Sequence, residues 1–139
     1  MNRLQSGAFE NCWNLKAVML PECLTRIGKC AFRHCSGLER ITFPETLKKI
    51  GERAFEYCKN LTEIKIPASV AEIGKSAFQF CSKLENITLS DRIIVIGKSA
   101  FEYCQNLKMA FFMGNDMETQ IKIVKCIEAN ASYLRAGFS

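Results

Sequence analysis

The sequence predicts an α/β repeat fold: a curved solenoid with one short parallel strand per 23-residue coil and a helix that caps the C-terminal end. Three observations lead to this prediction. A template of apolar residues recurs at an interval of 23 residues. One such unit is too short to bury its own apolar side chains, so neighbouring units must stack. The template then gives way, after residue 114, to an apolar pattern with the period of a helix.

The template starts with an Ala-Phe pair, which is followed by Cys four positions after the Ala and by Leu three positions later. Five copies keep this register without an insertion, which a chance arrangement would not produce. The pairs are Ala8/Phe9, Ala31/Phe32, Ala54/Phe55, Ala77/Phe78 and Ala100/Phe101. Each full unit closes with Ile-Gly, at Ile27-Gly28, Ile50-Gly51, Ile73-Gly74 and Ile96-Gly97.

Within a unit, the segment Leu61–Pro67 has the alternation of a short strand. Ile64 and Ile66 share one face because side chains alternate along a strand, and Lys65 lies on the other face. Stacked units therefore give a parallel sheet with strands about 4.8 Å apart. A proline suits the end of such a strand, where only one ladder donor is lost.

The rest of the unit returns the chain to the next strand. We expect Ile73 to re-enter the core and Gly74 to form a turn with positive φ. A short helical or 3₁₀ turn then places the Ala-Phe pair and Cys58 inward, with Glu56 and Tyr57 outward. Because this side of the coil is wider than the strand, the stack is expected to curve with its strands on the concave side.

The pattern I-G-x-x-A-F-x-x-C-x-x-L-x-x-I-x-I-P, over residues 4–113, resembles the BspA-type leucine-rich repeat. The resemblance implies a leucine-rich-repeat solenoid without catalytic residues. It also implies a binding module for adhesion or host-protein contact, at the cell surface or secreted as part of a longer protein. It implies no particular ligand, since function transfers less well than fold.

Length and charge set further limits. The 139 residues form one domain, with the solenoid over residues 1–114 and the cap over residues 115–139. The net charge of +5 is not gathered into a basic stripe, so we expect no nucleic acid partner. No stretch reaches the roughly 20 apolar residues of a membrane helix, so we expect no membrane insertion.

The N-terminal end starts inside a repeat. Leu4 and Gln5 take the Ile-Gly positions, so the strand that should precede them is missing. Solenoid ends normally carry a cap, which favours a fragment of a longer array over a short uncapped gene. The strand around Leu15–Leu20 is then an unprotected edge, through which we expect self-association.

Five of the eight cysteines occupy one slot of the template: Cys12, Cys35, Cys58, Cys81 and Cys104. We expect them to form a line of buried free thiols, because cysteine serves there as a small apolar side chain. Adjacent pairs could form disulfides, although five members cannot all pair. A tetrahedral zinc site is less compatible with a line. Many unpaired thiols fit a reducing compartment, so a cytoplasmic location stays open as the alternative.

The sequence favours a protein that is not an enzyme. His34 is the only histidine, and it should point away from Cys35, which is an inward residue of the template. No glycine-rich phosphate loop and no metal-ligand spacing occurs, so neither cofactor nor metal is expected.

The C-terminal segment predicts a capping helix. Asn115 and Glu118 have the spacing of a capping box, and Gly137 would end the helix. Its apolar face would comprise Met117, Ile121, Val124, Ile127, Ala131 and Leu134. A strand over residues 120–124 is the alternative. The helix could also bind a partner rather than only cover the last coil.

The predicted binding surface is the outward side of the strands. Its residues differ from copy to copy, which recognition would permit and packing does not demand. They are Met19, Arg40, Thr42, Glu63, Lys65, Asn86, Thr88, Met109 and Phe111. We expect a protein or glycan ligand there. The alternative is a structural spacer within a longer surface protein, with variation that only marks unselected surface.

Overall fold

The computed structural model describes residues 2–128 and 135–137. The chain winds through stacked coils, and every paired strand is parallel to its neighbour. The elements are β1 (Arg3–Leu4), β2 (Ala17–Met19), β3 (Arg26–Ile27), β4 (Arg40–Thr42), β5 (Lys49–Ile50), β6 (Glu63–Lys65), β7 (Glu72–Ile73), β8 (Asn86–Ser90), β9 (Val95–Ile96), β10 (Met109–Met113), α1 (Met117–Glu128) and β11 (Arg135–Gly137). The predicted solenoid with 23-residue coils is confirmed.

Each coil contributes two strands rather than the single strand that the sequence predicts. The predicted strands are β2, β4, β6, β8 and β10, which form sheets in the orders β2-β4 and β6-β8-β10-β11. The additional strands have two residues each and form a five-stranded sheet in the order β1-β3-β5-β7-β9. Four of them contain the Ile of the Ile-Gly pair, and β1 has Leu4 at that position; these side chains pack in the core or against it. A strand of two residues is too short to show an alternation in the sequence.

A ladder of phenylalanine rings runs through the core. Phe9, Phe32, Phe55, Phe78 and Phe101 stack with centroids 5.1–5.3 Å apart and ring planes within 10° of parallel. The inner four are at most 1% exposed, whereas Phe9 is 37% exposed. The inward strand positions, such as Ile64 and Ile66, are buried as predicted.

The turn segments also bind coil to coil. The N–H groups of Ala54 and Cys58 donate to carbonyls three residues earlier, as in a 3₁₀ turn. Those of Phe55 and Tyr57 donate to the next coil, at N···O distances of 2.7 and 2.9 Å. Positive φ angles at Arg53 (54°) and Tyr57 (63°) accompany this alternation. The turns of successive coils are therefore hydrogen-bonded to one another, as the strands are.

The prediction of a positive φ at Gly74 is wrong. Its φ is not in the left-handed region, which Ser76 occupies instead, at 56°. Glycine is required at this position because the preceding coil passes close by: a Cβ on Gly74 would lie 2.6 Å from the backbone nitrogen of Glu52. The recurrent glycine therefore marks close stacking of two backbones rather than a turn.

The predicted line of buried cysteines is confirmed for Cys35, Cys58, Cys81 and Cys104, which are at most 3% exposed. Each thiol donates to the carbonyl of the Phe in the preceding coil, at 3.0–3.2 Å. Cys12 is only partly buried, since no coil of this chain lies before it.

The C-terminal segment folds as the predicted helix, so the alternative strand over residues 120–124 is wrong. Its N-cap is Asp116 and not Asn115. The Asp116 carboxylate accepts the Thr119 N–H at 3.2 Å and the Thr119 hydroxyl at 2.6 Å. The Asp116 N–H donates in turn to the Asp91 carboxylate at 2.8 Å, which ties the helix start to the last coil. That tie comes from outside the helix, so the local capping pattern did not reveal it.

The buried face of α1 differs in part from the prediction. Val124 and Ile127 are buried as expected, but Met117 and Ile121 are exposed. Gln120 and Ile123 take their place against the core. The prediction that Gly137 ends the helix is wrong, because Gly137 lies in β11 and pairs with Phe111 of β10. The expected helical positions Ala131 and Leu134 lie outside the described residues.

Candidate binding face

The strand face is the outward side of β2, β4, β6, β8 and β10. The parallel register aligns its side chains in two rows. The first row is Ala17, Arg40, Glu63, Asn86 and Met109, and the second is Met19, Thr42, Lys65, Thr88 and Phe111. The structure therefore brings all nine predicted binding residues onto one surface.

These side chains differ in exposure along the face. Met19 is 83% exposed and Phe111 is 43% exposed. The four polar residues on β4 and β6 are exposed as well, whereas Asn86, Thr88 and Met109 are half-buried. The most accessible part of the face is thus its middle and its N-terminal end.

The face is interrupted between β4 and β6. Leu20 donates its N–H to the Thr42 carbonyl, and Ile66 donates to that of Thr88. The equivalent bond from Phe43 to Lys65 is missing, and within residues 2–128 no ladder pairing joins β4 to β6. A hollow of about 470 Å³ lies at this interruption. Its floor includes Phe43, whose ring meets the Phe55 ring edge-on at 5.7 Å.

Five of the nine predicted residues line this hollow: Arg40, Thr42, Glu63, Lys65 and Thr88. A second hollow of about 420 Å³ adjoins it and includes Met19. The two share Thr42, Phe43 and Glu45. Asn86, Met109 and Phe111 belong to the same face but to neither hollow.

Six lining residues of the first hollow were not predicted: three are inward residues of the strand segments, Ile41, Phe43 and Ile66, and the other three are Glu45, Pro67 and Met113. Glu45, Pro67 and Met113 lie at or beyond the predicted strand ends. Met113 pairs with Ser90 in the β8–β10 register and lies two residues after Phe111, on the same face of the strand. The last two copies lack the proline that ends the strand in the other copies, and β8 and β10 therefore extend to five residues. This absence of proline is the sequence feature that could have indicated Met113.

The charges around the first hollow have no partner within the part of the chain that the structure describes. Among the described residues, none of Arg40, Glu45, Glu63 and Lys65 forms an ion pair or a side-chain hydrogen bond. Some charges elsewhere on the coils are paired, for example Lys49 with Glu72 at 3.3 Å. Two cations and two anions thus surround an open hollow with an apolar floor.

The opposite side of the coils carries a paired network. The expectation that Glu56 points outward is wrong, because it is 5% exposed. Its carboxylate lies 2.6 Å from Nε of Arg33 and 3.6 Å from Nε of Arg53. The hydrogen bond to Glu56 raises the pKa of Arg33. The spacing of 23 residues that aligns Arg33 with Glu56 is readable in the sequence, but the pattern does not distinguish a paired carboxylate from a solvated one.

The turn segments also carry a second aromatic column, next to the network. The rings of His34, Tyr57, Phe80 and Tyr103 stack at 4.4–4.7 Å. His34 thus packs against Tyr57, while the neighbouring Cys35 thiol donates to the Phe9 carbonyl. The two side chains have separate partners, so they do not form a nucleophile–base pair.

The buried thiols are also unsuited to nucleophilic chemistry. Burial raises the pKa of Cys35 to about 11, and it raises the pKa of Cys58 and Cys81 well above the usual value. These thiols are therefore protonated at neutral pH, whereas the thiolate is the reactive form.

Residues 2–128 and 135–137 contain neither a metal-binding cluster nor a membrane-spanning helix. No three His, Cys, Asp or Glu side chains in this part of the chain converge where a metal ion could bind. None of its helices combines the length and apolar content needed to cross a membrane.

Comparison with known proteins adds a family and several structural neighbours. A family model described as "BspA type Leucine rich repeat region" matches residues 2–123 in six copies. Comparison with curated proteins gives no match. The leucine rich repeat protein of T. pallidum aligns over 78% of this chain with 34% identity and a TM-score of 0.77. A leucine rich cell surface protein of Faecalibacterium prausnitzii aligns over 87% with 30% identity and a TM-score of 0.82.

This chain is shorter than those relatives. It spans 51% of the T. pallidum chain and 32% of the F. prausnitzii chain. The pneumococcal vaccine antigen PcpA aligns with all of this chain and 42% of its own, with a TM-score of 0.72. At 21% identity, that likeness shows a shared fold alone.

Proposed function

Because the chain belongs to the BspA-type leucine-rich repeat family, we propose that it is a binding module that holds a protein ligand on its strand face. Repeats of this family generally serve as binding or structural modules rather than as enzymes. One observation carries the proposal: two cations and two anions, none with an ion-pair partner among the described residues, surround a hollow with an apolar floor at the β4–β6 interruption.

The energetics favour a protein ligand. Exposed ion pairs contribute about 0–1 kcal/mol to stability, so leaving Arg40, Glu63 and Lys65 unpaired costs the fold little. The same charges can pair with complementary groups across an interface, where they govern specificity and association rate. Met19 and Phe111 add exposed apolar surface on either side of the hollow. Such a mixture is typical of protein-binding surfaces rather than of a spacer.

We also propose a location at the cell surface. The name of the F. prausnitzii relative, a leucine rich cell surface protein, supports this location. The four buried cysteines do not oppose it. Cys35, Cys58, Cys81 and Cys104 are buried in the core, so an oxidising environment does not reach their thiols.

The test compares two pairs of cation substitutions. Arg40→Ala with Lys65→Ala removes both cations of the hollow. Lys75→Ala with Lys98→Ala removes two exposed cations that lie beyond β7 and β9, away from the strand face. Neither pair takes part in a salt bridge among the described residues, so both variants should keep the melting temperature of the parent.

The binding readout is a panel of extracellular host proteins and a glycan array, probed with the parent and both variants. We expect at least one protein to bind the parent and the Lys75/Lys98 variant. The Arg40/Lys65 variant should bind it more than about 30-fold more weakly, since loss of a central contact costs about 2 kcal/mol. A ligand that is lost only with Lys75 and Lys98 contradicts the proposal. A glycan as the sole ligand, or no ligand at all, contradicts it too.

A further inference from the structure

The outward side of the short strands β1, β3, β5 and β7 carries a row of charged residues. The parallel register pairs Arg3 with Arg26, Arg26 with Lys49, and Lys49 with Glu72. Arg3 and Arg26 are exposed, and the residue that follows each of these charges along its strand lies in or against the core. The cations are 23 residues apart in the sequence, so no basic stripe is visible there. Folding brings Arg3, Arg26 and Lys49 together as a basic row.

Folding alone does not favour this basic row. Like charges that lie directly opposite each other on paired strands destabilise a sheet. Neither Arg3 nor Arg26 forms an ion pair among the described residues. Lys49, in contrast, lies 3.3 Å from the Glu72 carboxylate. The two unpaired arginines therefore indicate a surface that attracts a negatively charged ligand.

A hollow of about 310 Å³ opens beside the basic row. Its lining includes the three cations of the row, a fourth cation, Lys29, and one anion, Glu52. The Glu52 carboxylate lies 3.7 Å from the ammonium group of Lys29, in a contact that is open to solvent and therefore weak. The hollow is thus surrounded by an excess of positive charge.

This surface does not depend on an end of the stack. Side chains stand roughly perpendicular to a sheet, whereas coils are added within the sheet, along the direction in which strands pair. A further coil before residue 2 would therefore lengthen the basic row and leave Arg3 and Arg26 accessible. The exposure of the row is a property of the side of the coils on which it lies.

We propose that the hollow and the basic row bind a densely sulfated linear polysaccharide, which lies along the stack from β1 to β5. Its sulfate groups accept charge-assisted hydrogen bonds from the arginine guanidinium groups of the row and from the ammonium groups of Lys29 and Lys49. Successive coils place a cation about every 4.8 Å. The ligand therefore needs an anionic group on nearly every sugar, which a polysaccharide with a carboxylate on alternate sugars lacks.

Other polyanions fit this lining less well. Single-stranded nucleic acid is held by bases that stack on aromatic rings, and no aromatic residue of the described part of the chain lines the hollow. Surfaces that bind membranes or acidic proteins add exposed apolar side chains to their cations. Among the described residues, the one apolar side chain of this lining is Ile27, which is 1% exposed. The hollow thus offers charged and polar groups without an apolar anchor, which suits a hydrophilic and highly charged chain.

The site is separate from the strand face. None of the described residues that line it belongs to either hollow of that face. A sulfated polysaccharide can therefore bind here while a protein occupies the strand face, and either proposal can fail without the other.

The experiment measures binding of a size-defined heparin oligosaccharide to the full chain by isothermal titration calorimetry. Arg26→Gln with Lys29→Gln removes two cations of the hollow. Lys59→Gln with Lys83→Gln removes two exposed lysines that line none of the three hollows. The first variant should bind at least about tenfold more weakly than the parent, whereas the second, with the same net charge, should bind nearly as well. Both should keep the melting temperature, because exposed ion pairs contribute little and Arg26→Gln removes a contact between like charges.

The specificity arm uses hyaluronate, poly-glutamate, an oligothymidylate and phosphatidylglycerol vesicles at the same concentration of negative charge. Each should bind more weakly than the heparin oligosaccharide, and equal or tighter binding of any of them overturns the proposal. A parent that does not bind heparin overturns it, as does an equal loss in the two variants, which would show attraction by net charge alone. So does heparin binding that is lost with Arg40→Ala and Lys65→Ala but kept with Arg26→Gln and Lys29→Gln.

Discussion

At the scale of single residues, the cysteine position of the template shows which structural features a repeat pattern predicts and which it does not. The recurrence of cysteine predicts an inward position, and the structure confirms it for four members. The hydrogen bond from each thiol to a phenylalanine carbonyl was not predictable. It joins residues 26 positions apart rather than 23, so it depends on how far one coil is offset against the next.

The same slot offers a matched pair of substitutions. Cys58 is fully buried and donates to the Phe32 carbonyl at 3.1 Å, whereas Cys12 is partly exposed. Cys58→Ala should lower the free energy of unfolding by about 2 kcal/mol, because it leaves a small cavity and removes the thiol hydrogen bond to the Phe32 carbonyl, which keeps the Cys35 N–H as its other donor. Cys12→Ala should lower it by less than half as much. Urea denaturation measures the free energy of unfolding of both variants. Equal losses would show that the buried hydrogen bond does not contribute to stability.

At the scale of elements, the strands were the easiest to predict. Ile64 and Ile66 alternate with polar residues, and the observed β6 lies inside the predicted segment. The helix was predicted correctly, but its N-cap and its end were not. Both depend on contacts from outside the helix: Asp91 holds Asp116, and β10 pairs with the segment that contains Gly137. Local patterns carry no information on such contacts.

The corrected N-cap can be checked directly. The Thr119 hydroxyl and N–H hold the pKa of Asp116 below its usual range, so the carboxylate is charged at neutral pH. Asp116→Ala should lower the melting temperature, through loss of the cap. Asn115→Ala should have little effect, since Asn115 makes no side-chain hydrogen bond among the described residues. Calorimetry measures the loss of stability in both variants. A larger loss for Asn115→Ala than for Asp116→Ala would show that the helix is capped by Asn115.

At the scale of the whole molecule, the sequence specifies the stack but not its irregularity. The 23-residue register predicts that all nine candidate residues share a face, and they do. It treats every coil alike, so it cannot predict that the ladder is open only between β4 and β6. Nor can it predict which charges pair, because Glu56 and Glu63 are both polar positions of the template. The hollow is therefore visible in the three-dimensional structure but not in the repeat pattern.

A stack in which each coil contacts only its neighbours should also open from its uncovered end. The amides of Phe9, Phe55 and Phe78 occupy one slot, and each donates to the alanine carbonyl of the next coil at 2.7 Å. Their local geometry is thus the same, and a difference in hydrogen exchange reports position in the stack. At a concentration where the chain is monomeric, Phe9 should exchange at least about tenfold faster than the other two, because its coil can detach alone.

Phe55 and Phe78 serve as each other's control, since both lie between covered coils and should exchange at similar rates. Exchange measured by nuclear magnetic resonance resolves the three amides. Equal rates at all three would mean that the molecule opens only as one cooperative unit. In that case the exposed first coil is as firmly held as the interior, in spite of having a neighbour on one side only.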